Sequence, residues 1–102
     1  MTPLRGQVFW VDLGHGEKPW LIVSNDARNR NLETCLAARI TTTTKHADHP
    51  TVVPLPPGEP LAGNVVVDDI VQLDGDELGN SSGALSLATM RAVSRALRIA
   101  LP

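Results

Sequence analysis

Apolar and polar residues change rhythm several times along the chain, and each change marks an element. Over GQVFWVDL (6–13), apolar Val8, Trp10 and Leu13 are interleaved with polar Gln7 and Asp12. This imperfect alternation predicts a β-strand. GHGEK (14–18) follows as a loop whose two glycines tolerate backbone conformations closed to other residues. Pro19 can open a strand but cannot sit mid-ladder in a central one, so the short apolar run Trp20 to Val23 is predicted as a strand. SNDARNRN (24–31) is polar and turn-rich, and Ser24, Asn25 and Asp26 can each cap a short helical turn.

TCLAARIT (34–41) is predicted as the next strand, TTTTKHADHP as a polar loop, and TVVPL (51–55) as a strand whose Pro54 marks an edge or an end. PPGEPLAG connects it to NVVVDDIVQL (64–73), the most β-branched stretch and the clearest strand. DGDELGNSSG reads as a turn with one helical turn at 76–78. The last segment has a different period. SLATMRAVSRALRIAL places Met90, Val93, Leu97 and Leu101 on one helical stripe and Arg91, Arg95 and Arg98 off it, with Ser86 as N-cap and Pro102 at the end. Short strands followed by a single C-terminal helix predict one domain over 1–102. Its fold class is mostly β (α+β), a small barrel or half-open sheet with a helix packed against it.

Composition narrows the function only a little. The chain has 102 residues, 42% apolar and 20% charged, which suits a folded domain with a thin core that self-association would help to bury. The net charge of -2 gives no global basic signature. Residues 1–50, however, carry six Lys/Arg and all three histidines, against three Lys/Arg and six Asp/Glu in 51–102, so a local anion-binding face belongs in the first half. Phe9, Trp10 and Trp20 are the only aromatics, which leaves little for base stacking. A lone Cys35 in an apolar run predicts a buried thiol and no intrachain disulfide. No zinc-ligand spacing, nucleotide-binding glycine motif, nucleophile elbow, apolar signal region or membrane-length segment appears. A cytoplasmic location without a metal or cofactor is therefore expected.

The remaining candidates for chemistry are polar residues at strand ends and in loops: His15, Lys18, Thr41 to Thr44, Lys45, His46, His49, Asp68 and Asp69. Each alone is compatible with a solvated surface residue. Their setting adds more. RGQVFWVDLG, KPWLIVSNDARN, AARITTTT, GNVVVDDIVQLD and GALSLATMRAVSRAL occur in an order and spacing that resembles the MazF/PemK (Kid) family of toxin endoribonucleases, nearly end to end. The resemblance implies an SH3-like barrel with a C-terminal helix, CcdB/PemK-like. It also implies a homodimer, metal-independent cleavage of RNA, and an antitoxin whose flexible C-terminal segment covers the RNA groove.

The same resemblance assigns candidate roles. Lys18 stands where many relatives carry an arginine that contacts the scissile phosphate; lysine keeps the charge and loses the planar fork. Thr41 matches a threonine at a strand end whose hydroxyl can donate to a phosphate oxygen. Asp68 matches an aspartate given base-like work in Kid-type members, but the arginine two residues earlier is Val66 here, which departs from the Kid pattern. His15 lies in the first glycine loop, where Kid-type members also carry a histidine, and an imidazole can shuttle a proton near neutral pH. Arg28, Lys45, His46 and His49 are candidates to widen a positive RNA-binding groove, and Thr42 to Thr44 are loop residues placed to contact the RNA backbone. The short loop at 14–17 implies an open groove suited to a folded RNA such as a tRNA loop. Two other functions stay open: a CcdB-like gyrase poison that cleaves nothing, and an inactive module that keeps only the antitoxin-binding groove.

Overall fold

The computed structural model describes residues 2–43 and 45–101. Six strands form one antiparallel sheet in the order β4-β5-β3-β2-β1-β6. They are β1 (Gln7–Asp12), β2 (Glu17–Ile22), β3 (Thr34–Thr41), β4 (Val52–Pro54), β5 (Asn64–Asp74) and β6 (Ser81–Ala84). Helix α1 (Asp26–Leu32) lies between β2 and β3, and helix α2 (Leu87–Ala100) closes the fold. Gly14 and Gly16 both take positive φ, 105° and 85°, in the hairpin that joins β1 to β2.

The sheet is buried on both faces. On one, Val8, Leu21, Ala38, Ile40, Val65 and Val67 meet Met90, Val93 and Ala96 of α2. On the other, Phe9, Val11, Trp20, Ile22, Cys35, Ala37 and Leu73 form a second cluster, with Val71 and Leu78 against it. The β1 pattern therefore differs from a one-sided alternation: Phe9 and Val11 are as buried as Val8, and Leu13 is 43% exposed. The helical stripe holds at Met90, Val93 and Leu97, while Leu101 is the exposed C-cap. Pro102 and Thr44 lie outside the described residues.

Strand β2 begins at Glu17 rather than after the loop, so Pro19 lies within it opposite Trp10; the β2–β3 ladder starts only at Trp20, and the missing proline N–H breaks no bond. Other elements depart from expectation for local reasons. The polar, turn-rich stretch at 24–31 holds helix α1, which at seven residues is longer than the single helical turn expected. Asn25 caps it by accepting from the Arg28 N–H at 2.8 Å, and buried Asn29 holds it down. Strand β6 lies within a stretch that reads as a turn. Its Ser-Ser-Gly-Ala has no hydrophobic alternation because it is a largely exposed edge strand, paired with β1 by backbone hydrogen bonds. Trp10 Nε1 donates to Ser82 Oγ at 2.6 Å across that pair.

Ser86 caps α2, accepting from the Thr89 N–H, and Glu59 from the proline-rich connection in turn accepts from Ser86 N and Ser86 Oγ. Desolvation would raise the Glu59 carboxyl, but the hydrogen bonds from Thr89 and Ser86 outweigh it and hold its pKa below the ordinary value. A depressed carboxylate contributes stability that is complete above its unfolded pKa and is lost as pH falls through the folded one. Glu59→Gln is therefore expected to lower Tm at neutral pH, and the gap from the parent protein to close as pH falls below about 4. Thermal melts across pH measure this; a constant gap would count against the linkage.

Candidate active site

The register of the central strands brings distant residues to one face. Val11 pairs with Lys18 across β1 and β2, Phe9 with Trp20, and Trp20 in turn with Arg39 on β3. Paired residues share a face, and side chains two apart along a strand do too. Lys18, Trp20, Arg39 and Thr41 thus stand on the face opposite α2. There they line a cavity of about 600 Å³, together with Trp10, Leu13, His15, Thr42, Leu61 and Asp69, among others. Lys18 is the exposed second residue of β2, between the glycine loop and the buried part of the strand.

Thr41 ends β3 opposite Asn64. Its position is set by backbone as well as by pairing. Gly63 has φ +136°, and a Cβ added there would lie 2.8 Å from the Thr41 carbonyl oxygen. Only glycine lets the β4–β5 connection press so closely on this residue. The Thr41 hydroxyl accepts the Thr43 N–H at 3.3 Å, a long bond that leaves its own proton free to be donated.

The ladder between β3 and β5 shifts between Ala38 and Arg39: Ala38 pairs with Ile70 and Arg39 with Val66. The intervening residues of β5 bulge, and a bulge re-aims side chains. The two adjacent aspartates consequently serve different places. Asp69 meets Arg39 in the cavity wall, with Oδ2 2.6 Å from Arg39 Nε. That N–H is not aligned for a hydrogen bond, so the contact is an ion pair by proximity. Asp68 instead accepts from buried Thr51 Oγ1, which also contacts His49 Nδ1 at 2.8 Å. Neither Asp68 nor His49 lines the cavity.

Of the residues singled out in the sequence, the cavity therefore gathers His15, Lys18, Thr41 and Thr42. It does not gather Asp68, Arg28, Thr43, Lys45 or His46. Arg28 is spent on α1, where Nη1 donates to the Thr34 carbonyl at 3.1 Å. The scarce aromatics are better placed than their number suggests, since both tryptophans line the cavity. The residue that sequence reasoning missed is Arg39. It sits inside the apolar run of β3, and only the register shows that it faces the cavity.

Cys35 lies fully buried under the second cluster. Burial pushes its thiol pKa up, with the Arg28 charge opposing and Glu77 adding to the rise. A raised pKa and no access make an inert thiol. The native protein is expected not to react with a thiol reagent at pH 7 and to react fully once unfolded. Fast native labelling would contradict this.

The sheet is backed by α2 on one face, and on the other the Lys18, Thr41 and Thr42 side of the cavity borders the second apolar cluster. The chain belongs to the family of PemK-like, MazF-like toxins of type II toxin–antitoxin systems, whose model matches residues 4–101. It is 50% identical over 100 residues to Endoribonuclease MazF1 of Mycobacterium bovis and to Endoribonuclease MazF4 of Mycobacterium tuberculosis, covering 98% of this chain and 93% of each relative. A mycobacterial endoribonuclease solved in complex with its cognate antitoxin superposes with a TM-score of 0.91 at 50% identity, covering 98% of this chain and 97% of that one. MazF from Deinococcus radiodurans shares the fold, with a TM-score of 0.82 at 24% identity over 99% and 97% of the two chains.

Proposed function

We propose that the protein is the toxin of a type II toxin–antitoxin module and that it cleaves RNA at the Lys18–Thr41 cavity. The observation that carries this is the meeting of Lys18 and Thr41, 23 positions apart in sequence, on one wall of one cavity. Cleavage proceeds by attack of the ribose 2′-oxygen on the adjacent phosphorus. The P–O5′ bond breaks, leaving a 2′,3′-cyclic phosphate and a 5′-hydroxyl. Lys18 balances the charge that builds on the phosphorane, and Thr41 donates to a non-bridging oxygen. His15, exposed on the glycine loop, moves the proton between the 2′-hydroxyl and the leaving oxygen. Thr42 contacts the RNA backbone. Asp68 serves the loop before β4, through Thr51, rather than the chemistry.

The relatives carry the name endoribonuclease and one was solved with its cognate antitoxin, which supports this reading over a gyrase poison or a silent binding module. The protein acts in the cytoplasm as a homodimer, and the antitoxin's flexible segment covers the cavity. No helix among the described residues is long and apolar enough to cross a membrane. The test is incubation of total RNA with purified protein in EDTA, with end-group analysis. Cleavage that survives chelation and leaves 5′-hydroxyl ends is expected, with Asp68→Asn close to parental activity. Intact RNA across many substrates would overturn the reading.

A further inference from the structure

The Arg39–Asp69 pair stands in the cavity wall with no part in the chemistry above. A structural clasp would be expected to sit buried and aligned. These side chains are instead 40% and 44% exposed, and the contact engages only Nε, the guanidinium nitrogen nearest the chain. The four N–H donors of the two Nη groups lie beyond it, and the carboxylate keeps its second oxygen. The bulge in β5 is what brings Asp69 here, two strands away from Lys18. The pair therefore presents a donor edge and an acceptor edge side by side, between the apolar walls made by Trp10, Pro19 and Leu61.

Resting on the RNA-cleaving reading of this cavity, we propose that Arg39 and Asp69 read one nucleobase next to the scissile phosphate, and that the base is guanine. Guanine presents an oxo group beside an imino N–H and an amino group along one edge. Arg39 donates to O6, and Asp69 accepts from N1–H and N2–H. Arginine to guanine is the commonest specific base contact, because the guanidinium fork meets O6 and N7 together, an edge that lies beside the N1–H and N2–H taken by the carboxylate. Adenine and cytosine put an amino donor where the oxo group is needed. Uracil has the oxo and imino groups but lacks the second donor for the carboxylate. Trp10, half-buried at the cavity wall, supplies a flat apolar surface for the ring.

The experiment uses one RNA library with randomised positions, read twice. In the first, cut sites of the parent protein, Arg39→Gln and Asp69→Asn are mapped by sequencing the 5′-hydroxyl ends. The parent is expected to favour guanine at one fixed position by roughly ten- to a hundred-fold. Both variants are expected to lose that preference while still cutting. In the second, RNA retained by Lys18→Ala protein is sequenced, with and without Arg39→Gln. This reads the base preference without cleavage, so failure to cut overturns the function proposed above while the pair is still judged. Unchanged site profiles and unchanged selection in both variants would overturn the base-reading role. A drop in Tm with the profile kept would do the same, leaving a clasp. A lost preference for a base other than guanine would overturn the guanine assignment.

Discussion

Lys18→Ala is expected to slow RNA cleavage by about 10²–10³-fold, the usual effect of removing one group that stabilises transition-state charge. Folding should be almost untouched. Lys18 is the exposed second residue of β2, and its ladder partner Val11 stays in place, so the cost to stability is expected within about 0.5 kcal/mol. The separation of the two effects is what identifies a catalytic group. Lys18→Arg gives the converse test. Arginine restores the charge and adds a fork that can grip two phosphate oxygens, so cleavage is expected to stay within about tenfold of the parent. Thr41→Val keeps the β-branched shape of the strand end while deleting the hydroxyl, and should again lower rate rather than Tm. Single-turnover kinetics beside thermal melts decide all three. Parental rates in Lys18→Ala would remove this residue from the site, whatever happened at Thr41.

The strands and α2 were legible because their residues face one consistent environment. The run at 64–73 and the Met90–Val93–Leu97 stripe carry a period that survives without tertiary information. Elements whose stability comes from polar contacts were not. Strand β6 is defined by backbone pairing to β1 and by the Ser82 bond to Trp10. Helix α1 depends on an asparagine cap and on a buried asparagine, residue types that also signal turns. The site divides in the same way. Lys18 and Thr41 stand out through the family resemblance, and the register explains why they meet. Asp68 and Asp69 are neighbours in sequence, and nothing local separates their roles. Only the bulge opposite Ala38 and Arg39 sends one to the cavity and the other to Thr51. Arg39 was hidden for the same reason: facing direction is a property of register, not of composition.

Asn29→Ala is expected to be the most damaging single change to stability outside the hydrophobic clusters, by about 2–4 kcal/mol. Asn29 is 1% exposed and its side chain makes three contacts. Nδ2 donates to the carbonyls of Pro3 at 3.1 Å and Ser24 at 3.2 Å, while Oδ1 accepts from the Ser24 hydroxyl. Ser24 Oγ in turn accepts the Leu36 N–H at 2.9 Å, so one asparagine ties α1 to the N-terminal segment and to β3. Alanine strands these partners in a buried space, and stranding a buried polar group costs more than a satisfied bond contributes. Leucine would add volume without restoring any partner and should be worse. Asn29→Asp keeps the acceptor but loses both donors and buries a charge against two carbonyls, so it should not rescue. Ser24→Ala removes one member while leaving the Nδ2 bonds, and a smaller loss is expected. A double-mutant cycle between Ser24→Ala and Asn29→Ala should then show strong non-additivity, because the second loss falls on a network already broken. Additive costs would mean that the two residues act independently rather than as one network.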